Sequence, residues 1–331
     1  MKDIFDKKLS IILPTYNVEQ YIERCIRSLE EQDINEDEYE ILVIDDGSPD
    51  NSVFIVEELQ KEYSNITIYH KKNGGLSSAR NYGIERAQGK YCWFVDSDDY
   101  IEKNVLKTLL YQLERYELDY IGFNLYDVIQ GKKCKGTEWR EKPSNVMSGT
   151  EYIKSAPIVK SACVHILKTD IYKKNNLRFV EGIIHEDYEF MLRIYRFCNR
   201  MKFLELPVYN YVIRESGSIT TINTYAQNRY SFNSWFIVIN SLQNCFRDSY
   251  DEYSCYAQVW INSYKYVALT NLLIKALPFK EKETIYSQYK NSGIFKIGAN
   301  HLSLKRKIRI WIYRIPFIYL ILMYLLNKNE K

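Results

Sequence analysis

Short apolar runs alternate with amphipathic helical patterns through the first 125 residues of the chain. The apolar runs cover residues 9–13, 41–44, 66–69, 91–95 and 120–123, and the helical patterns between them cover 19–31, 51–63, 77–87 and 103–115. Regular alternation of strand and helix predicts an α/β fold with a mostly parallel sheet and helices on both faces. Such sheets bind ligands at the carboxyl ends of their strands, so the residues after each run are the first functional candidates.

The rest of the chain follows three other patterns. Residues 125–148 are polar and irregular and predict a loop or small excursion, residues 149–222 mix helical and strand patterns, and residues 225–330 are helical. We therefore expect an α/β domain over 1–222, a helical C-terminal region over 223–301 and a separate tail over 302–331.

Composition excludes several classes of protein. Hydrophobic residues make up 46% and charged residues 26% of the 331 residues, which is typical of soluble globular proteins and not of disordered chains. The net charge of +3 gives no overall footprint for nucleic-acid binding. The seven cysteines are scattered without a CxxC pair, which favours reduced thiols over a zinc site or a disulfide framework. The first eight residues contain no apolar run, so we expect no signal peptide and a cytoplasmic protein.

Polar clusters directly follow three of the predicted strands, and a fourth cluster lies between the third strand and the helix after it. They are Pro14-Thr15-Tyr16-Asn17, Asp45-Asp46-Gly47-Ser48, Asp96-Ser97-Asp98-Asp99, and Gly74-Gly75 with Arg80-Asn81. Each cluster alone is explained by a turn, a bend or a helix cap. Together they fall on one edge of one sheet, where their carboxylates would repel one another unless a cation or hydrogen-bond donors lay among them.

These acidic clusters indicate a divalent metal and a phosphate-bearing substrate. Oxygen ligands without His or Cys favour Mg²⁺ or Mn²⁺, which proteins hold with one or two carboxylates and the phosphates of a substrate. The sequence contains neither a Walker A motif nor a G-x-G-x-x-G motif, so ATPases and dinucleotide enzymes would lack their usual phosphate cradle. We therefore expect the metal to carry much of the phosphate charge.

Four segments resemble, in the same order, the motifs of the family 2 inverting glycosyltransferases, which have the GT-A fold. The segments are 10–17, 44–50, 73–81 and 94–99, and the resemblance extends over roughly residues 8–222. Within that family the chain is most similar to the bacterial enzymes that build capsular, exopolysaccharide or lipopolysaccharide chains. The resemblance implies a catalytic domain over 1–222, a UDP-sugar as nucleotide-sugar donor, and Mn²⁺ or Mg²⁺ as cofactor. It implies a donor half over about 8–125 and an acceptor half over about 149–222.

The resemblance also assigns residues to the donor site. It implies a nucleotide-sugar pocket formed by Pro14, Thr15, Tyr16, Asn17, Asp45, Asp46, Gly75, Arg80, Asp96, Ser97, Arg214 and Ser218. Either Asp45 or Asp46 would accept the imide hydrogen of uracil, with a slight preference for Asp46. Arg80 would lie beside the base and the diphosphate.

The metal and the diphosphate have their own implied residues. Asp98 would ligate the metal that bridges the diphosphate, and Asp96 would hold the ribose or a metal-bound water. Arg214 and Ser218 would reach the diphosphate, although a surface turn at Gly217 explains that segment equally well.

The catalytic base is expected at the start of a helix in the second half of the domain. Inversion by direct displacement needs a carboxylate that removes the proton from the acceptor hydroxyl. Residues 185–190 (HEDYEF) open an apolar helix, where acidic residues are also ordinary partners of the helix dipole. The segment resembles the family's Glu-Asp motif, which implies Asp187 as the base and Glu186 as an acceptor-binding or orienting residue. Three further residues, His185, His165 and Lys168, are expected on the acceptor side.

The last thirty residues are strongly basic. Residues 302–331 carry seven Lys or Arg residues and one Glu, a net charge of +6, which leaves −3 for the rest of the chain. The uncharged stretch 315–326 is shorter than the roughly 20 apolar residues that span a bilayer. With its Trp and Tyr residues, the tail predicts an interfacial helix on an anionic membrane surface, and hence a peripheral location at the inner face of the cell membrane. The alternative is a terminal helix that packs on its own domain or on a partner subunit in a homodimer.

Two kinds of function remain open. The first is non-processive sugar transfer to a glycan or to an oligosaccharide on polyprenyl diphosphate, and the second is a non-catalytic nucleotide-sugar-binding scaffold of a glycan assembly complex. A processive synthase is disfavoured because the sequence has no spanning helices and no Gln-x-x-Arg-Trp. A sugar-1-phosphate nucleotidyltransferase is disfavoured because no glycine-rich loop follows Leu13. Galactose, glucose, N-acetylglucosamine and N-acetylgalactosamine all remain as the sugar.

Overall fold

A computed structural model describes residues 6–136, 139–141, 144–155, 159–214, 224–297, 304–313 and 315–328. The chain divides into two compact units, one formed by residues 1–182 with 190–218 and the other by 183–189 with 219–331. The second unit thus includes a short segment from within the expected α/β domain, and the boundary at residue 222 stays a prediction.

The first unit is built around one mixed sheet. Its strands are β1 (Lys7–Thr15), β2 (Tyr39–Asp45), β3 (Ile66–His70), β4 (Gly89–Phe94), β5 (Tyr100–Ile101), β6 (Tyr120–Ile129), β7 (Lys132–Lys135), β8 (His165–Lys168) and β9 (Met201–Ile213). They lie in the order β3-β2-β1-β4-β8-β6-β9-β5, and β7 pairs with the second half of β6. The pairs among β1 to β4 and the β6–β9 pair are parallel, whereas β5, β7 and β8 pair antiparallel. The predicted α/β fold with a mostly parallel sheet is confirmed.

Helices connect the strands of the sheet. They are α1 (Ile22–Glu30), α2 (Ser52–Leu59), α3 (Leu76–Arg86), α4 (Leu106–Arg115), α5 (Gly149–Ser155), α6 (Thr169–Lys174) and α7 (Glu186–Ile194), the last of which begins in the second unit. β2 is buried along its whole length, as its continuous apolar run predicts for a strand covered on both faces. Gly83 brings α3 close to β1, because a Cβ at this position would lie 2.4 Å from Cγ2 of Ile12.

The segment expected as a loop or small excursion after residue 125 begins with a hairpin. β6 continues to Ile129 and turns through Gln130 and Gly131, both with positive φ, into β7. Two successive left-handed residues are the geometry of a type I′ turn, which matches the twist of the strands that it joins. The residues of β7 are all exposed, so the polar sequence belongs to a surface hairpin.

The second unit is helical, which confirms the prediction for the C-terminal region. Its helices are α8 (Tyr225–Phe246), α9 (Glu252–Ile274), α10 (Phe279–Asn291), α11 (Leu304–Tyr313) and α12 (Pro316–Lys328). Buried tyrosines in this unit donate to helix carbonyls. Tyr289 donates to Phe232 at 2.9 Å and Tyr319 donates to Leu269 at 2.7 Å. These bonds explain how the unit can bury aromatic rings that carry a hydroxyl.

The tail helices pack on α9 on one side and are exposed on the other. Tyr313 of α11 stacks on Tyr266, with ring centroids 5.9 Å apart, and the bond from Tyr319 fastens α12. Trp311 and Tyr324 are exposed. Within the described part of the chain, no single helix is both long and apolar enough to cross a membrane. Lys307–Tyr313 and Ile318–Leu326 reach that threshold only as a pair, with a bend of 99° between them.

Candidate active site

Three polar segments meet at the carboxyl edge of the sheet. β1 lies between β2 and β4, so the segments that follow these strands are neighbours. The backbone amide of Asp46 donates to the carbonyl of Thr15 at 2.9 Å, and the hydroxyl of Ser97 donates to the carbonyl of Pro14 at 2.7 Å. These bonds tie the end of β1 to the loops that follow β2 and β4.

Asp46 organises the glycine loop before α3. Its carboxylate forms an ion pair with Lys71 and accepts the backbone amides of Gly74 at 2.9 Å and Gly75 at 2.7 Å. Gly75 has a φ of +85°, which glycine adopts without steric cost, and α3 begins at the next residue. Asp46 therefore has a structural task that its expected role as the base-binding carboxylate does not include. The sequence does not predict the role of Lys71 as the partner of Asp46, because lysines are common in loops.

Asp45 is bonded to a more exposed neighbour. Its Oδ1 accepts the backbone amide of Ser48 at 2.8 Å, and its Oδ2 lies 3.0 Å from Nδ1 of His70. Asp45 itself is buried, whereas the imidazole of His70 is largely exposed. Either Asp45 or Asp46 stays a candidate for the uracil contact.

Among the residues at the end of β1 that are expected to line the nucleotide pocket, Tyr16 and Asn17 are exposed. The side chain of Tyr16 is 50% exposed. Thr15 is buried, and its hydroxyl donates to the carbonyl of Leu13 at 3.1 Å. Asn17 follows with a φ of +55°, a conformation that asparagine tolerates better than most residues. The ring of Tyr16 is therefore the group at this strand end that is available to stack on a planar ligand.

Arg80 lies on the core side of Asp96. Its side chain is 2% exposed, and its Nη2 donates to Oδ1 of Asp96 at 2.9 Å. The guanidinium carbon lies 5.2 Å from the ring centroid of Phe179 and 5.9 Å from that of Phe94. A buried guanidinium needs a charged partner, which Asp96 supplies. Arg80 therefore orients Asp96, and its burial argues against the direct contact with base and diphosphate expected from the sequence.

Asp98 is paired with an arginine that follows β9. Its carboxylate forms an ion pair with Arg214, whose guanidinium carbon also lies 4.7 Å from the ring centroid of Tyr21. Burial and then the charge of Asp96 raise the pKa of Asp98, and Arg214 opposes this rise. Arg214 thus contacts the carboxylate that is expected to hold the metal. Ser218, the other residue expected at the diphosphate, lies outside the described residues.

Asp99 is a buried carboxylate to which the sequence assigns no role. It accepts the hydroxyl of Tyr209 at 2.7 Å and the backbone amide of Val212 at 2.7 Å. The same hydroxyl accepts the backbone amide of Asp96 at 3.0 Å. Burial, followed by the charges of Asp98 and Asp96, raises the pKa of Asp99 well above its usual value. β9 is therefore bonded at two places to residues 96–99, the acidic loop. The only sequence signal of this is the third acidic residue of the motif, Asp99 itself.

Asp96 and Asp98 suit a divalent ion by their chemistry. Both present carboxylate oxygens at the sheet edge, with side chains 29% and 22% exposed. Hard oxygen donors of this kind match Mg²⁺ and Mn²⁺. Across the residues that the structure describes, no group of three or more His, Cys, Asp or Glu side chains could hold a metal ion. An ion at Asp96 and Asp98 would therefore depend on substrate oxygens as well as on the two carboxylates.

The segment with the predicted base belongs to the second unit. Glu186 and Asp187 lie in the first turn of α7, where the helix dipole stabilises carboxylates. His185 precedes them with a φ of +68°, its Nε2 lies 2.9 Å from Oγ of Ser231, and its ring stacks on Trp235 with centroids 4.5 Å apart. Burial lowers the pKa of His185 to about 4, so the ring is neutral at pH 7. The roles of these three residues in catalysis and acceptor binding stay predictions.

Two of the predicted acceptor residues lie where an acceptor contact is not supported. Lys168 pairs with Tyr91 near the beginning of β4 and forms an ion pair with Asp119 at 2.8 Å, so it lies at the opposite edge from the acidic loop. His165, at the other end of β8, is 1% exposed, and its ring stacks on Tyr120 with centroids 4.9 Å apart. Burial lowers the pKa of His165 to about 3. The antiparallel direction of β8, which the local sequence does not reveal, is the reason for the placement of Lys168, whereas His165 is buried by its packing on Tyr120.

Known proteins match the chain in sequence. Residues 10–172 match the model of the family described as Glycosyl transferase family 2. The uncharacterized glycosyltransferase EpsJ of Bacillus subtilis is 35% identical over 225 residues, which make up 65% of this chain and 63% of EpsJ. The poly(ribitol-phosphate) beta-N-acetylglucosaminyltransferase TarS of Staphylococcus aureus is 31% identical over 216 residues, which make up 63% of this chain and 36% of TarS. The chain thus spans less than two thirds of the length of either relative.

Solved structures match the chain in fold. The crystal structure of S. aureus TarS 1–349 in complex with UDP-GlcNAc has a TM-score of 0.78 and 20% identity, and the match covers 98% of this chain and 91% of that one. The mannosyltransferase PcManGT of Pyrobaculum calidifontis in complex with GDP-Man and Mn²⁺ has a TM-score of 0.51 and 13% identity, and the match covers 100% of this chain and 92% of that one. The four motifs, the sheet that brings them together and these matches agree, and we conclude that residues 10–172 form a glycosyl transferase family 2 domain and that the chain has the GT-A fold.

Proposed function

We propose that the chain transfers a sugar from a UDP-sugar to a hydroxyl group of a bacterial surface glycan. The observation that carries the proposal is the meeting of the β1, β2 and β4 ends at one edge of the sheet, with the exposed ring of Tyr16 and the acidic loop 96–99. Parallel sheets bind nucleotides at this edge. TarS, which is similar in fold, was solved with UDP-GlcNAc, and this supports UDP as the nucleotide.

In this proposal Mn²⁺ or Mg²⁺ binds at Asp98, with Asp96 beside it. When bound, such an ion neutralises the charge that develops on a leaving diphosphate. The partly exposed carboxylates of the two residues support the assignment, since their oxygens suit both ions. The complex of PcManGT with GDP-Man and Mn²⁺ offers further support. Arg80 contributes by holding Asp96 in place.

Asp187 is the general base of the proposed reaction, and Glu186 orients the acceptor. The acceptor oxygen attacks the anomeric carbon, its proton passes to the base, and the nucleoside diphosphate leaves from the opposite face, which inverts the configuration. The resemblance of residues 185–190 to the family's Glu-Asp motif supports these roles. Their position in the first turn of α7 supports them further, because the helix dipole favours the ionised carboxylate that a base requires.

A panel of UDP-sugars incubated with Mn²⁺ and no acceptor tests the donor assignment. One of UDP-glucose, UDP-galactose and their N-acetylated counterparts should be hydrolysed slowly, and the one hydrolysed identifies the sugar. Absence of metal-dependent UDP binding would refute the donor site.

Asp187→Asn separates catalysis from binding. We expect it to abolish transfer while the Kd for UDP changes by less than about twofold. Asp170→Asn is a matched control, because Asp170 is a carboxylate on α6 whose side chain is 42% exposed and forms an ion pair with Lys174 at the next turn, and transfer should persist. The alternative, a non-catalytic nucleotide-sugar-binding scaffold, predicts UDP-sugar binding without turnover and an Asp187→Asn variant that keeps its cellular role.

The acceptor in this proposal is a lipid-linked glycan, and α11 brings the protein to the cytoplasmic membrane surface. Lys307, Ile308, Arg309 and Trp311 are all exposed on this helix. Basic and aromatic side chains on one short helix favour binding to anionic headgroups. The protein should sediment with vesicles that contain phosphatidylglycerol and not with pure phosphatidylcholine vesicles, and Lys307→Gln with Trp311→Ser should weaken sedimentation. A dimer in solution that dissociates on the same substitutions would favour the homodimer instead.

A further inference from the structure

Arg214 is paired with the carboxylate to which the proposed metal would bind, that of Asp98. Its Nη2 forms an ion pair with Oδ2 of Asp98, and only 16% of its side chain is exposed. The ring of Tyr21 covers the guanidinium on another side, 4.7 Å from its centre. Without a bound ion, the positive charge paired with the carboxylate of Asp98 is therefore this arginine.

The two arginines that pair with the acidic loop differ in their freedom to move. Arg80, which holds Asp96, lies beside the rings of Phe94 and Phe179 and is almost wholly buried, so releasing it would open the core. Arg214 is partly exposed and comes directly after the end of β9. Of the two ion pairs, the one between Arg214 and Asp98 is thus the pair in which another cation can replace the arginine.

The backbone is anchored just before Arg214, so that the side chain can move while the strand stays in place. Val212 is fixed by the bond from its amide to Asp99 at 2.7 Å, and Arg214 lies two residues further along. Among the described residues, Nε of Arg214 has no hydrogen-bond partner, which leaves a donor for another acceptor. A guanidinium offers its donors as a planar fork that suits phosphate oxygens.

We propose that Arg214 is a resident counter-ion of Asp98 that the metal of the donor displaces. A divalent cation and a guanidinium repel each other and compete for the same carboxylate, so binding of the ion at Asp98 releases Arg214. The released guanidinium then pairs with the diphosphate. This inference rests on the proposed metal-dependent function, and it adds that the metal and Arg214 compete when no nucleotide is bound and cooperate when it is.

Titration of Mn²⁺ by electron paramagnetic resonance tests the competition without any turnover. Without nucleotide, Arg214→Gln should bind Mn²⁺ about tenfold more tightly than the wild type, within the 5- to 150-fold range typical of coupled sites. Arg214→Lys keeps the charge and should bind like the wild type. The factor by which saturating UDP tightens Mn²⁺ binding should be smaller in Arg214→Gln than in the wild type.

Arg24→Gln is the matched control. Arg24 also contacts Asp98, but its Nη2 donates to the backbone carbonyl at 2.9 Å and leaves the carboxylate untouched. Its removal changes the local charge by the same amount, so Mn²⁺ binding should change much less than in Arg214→Gln.

The outcomes separate the two proposals. Equal or weaker Mn²⁺ binding by Arg214→Gln without nucleotide would overturn the exchange, and so would equal tightening by Arg24→Gln, which would show a general charge effect. If the folded wild type binds UDP but Mn²⁺ does not bind even with UDP present, the proposed metal dependence fails and the exchange fails with it. Asp98→Asn should abolish the difference between the wild type and Arg214→Gln, and persistence of that difference would also overturn the exchange.

Discussion

Replacing Tyr209 with phenylalanine removes one buried hydroxyl that serves two partners. The hydroxyl accepts the backbone amide of Asp96 at 3.0 Å and donates to the carboxylate of Asp99 at 2.7 Å. Phenylalanine keeps the ring, so the packing is preserved and the loss is confined to hydrogen bonding. Because these two bonds join β9 to the acidic loop, the substitution tests whether they hold the loop in place.

The magnitude follows from the kind of each bond. A hydrogen bond to a charged group contributes about 1.5–3 kcal/mol and one between neutral groups about 0.5–1.5 kcal/mol. Tyr209 and Asp99 are both buried, so water does not replace the lost partner, and Asp99 keeps only the amide of Val212 among the bonds described above. We expect Tyr209→Phe to lower the free energy of unfolding by about 2–4 kcal/mol.

Urea unfolding followed by far-UV circular dichroism measures the loss. Tyr111→Phe is the control, since Tyr111 is exposed on α4, and its effect should stay within about 0.5 kcal/mol. Metal-dependent UDP binding should weaken in Tyr209→Phe, because the loop that carries Asp96 and Asp98 loses its link to β9. A loss below about 0.5 kcal/mol with unchanged UDP binding would refute the reasoning.

Three further predictions concern the first unit. Because burial lowers the pKa of His165 to about 3, the unfolded chain takes up the proton first as the pH falls below about 6.5, and His165 should account for a loss of about 2 kcal/mol of stability between pH 8 and pH 5. His165→Leu should remove that part of the pH dependence in urea titrations at the two pH values. Gly83→Ala should cost about 1–3 kcal/mol in thermal unfolding, because its Cβ would lie 2.4 Å from Cγ2 of Ile12. Arg80→Lys should weaken UDP binding about tenfold by calorimetry with Mn²⁺, because an ammonium group does not reproduce the position of the buried Nη2 that donates to Asp96. An unchanged pH dependence, an unchanged melting temperature or an unchanged UDP affinity would contradict the respective prediction.

Much of the donor half follows from local patterns. The apolar runs 41–44 and 66–69 predict β2 (Tyr39–Asp45) and β3 (Ile66–His70) closely, because strands buried in a parallel sheet are continuously apolar. The polar residues after these strands meet at one edge because parallel strands share a direction. The β6–β7 hairpin is harder to predict, since its second strand consists of exposed lysines and a cysteine and has no apolar face.

The acceptor side shows what local patterns do not contain. Lys168 and His165 lie on one short strand, and the placement of Lys168 depends on β8 running antiparallel to β4. A four-residue strand with two apolar residues at its centre has the same pattern in either direction. The placement of Lys168 at the edge opposite the acidic loop therefore follows from the strand direction, and the burial of His165 follows from its packing on Tyr120 of β6.

The sequence by itself determined the α/β class, the family and the polar strand ends, because these depend on hydrophobic periodicity and on short contiguous motifs. Only the tertiary structure decided which partner each charged group of the acidic loop has. Arg80 holds Asp96, Arg214 pairs with Asp98, and Tyr209 fastens Asp99 from 110 residues away. Contacts between residues so far apart depend on strand order and strand direction, and these are set by the packing of the whole sheet.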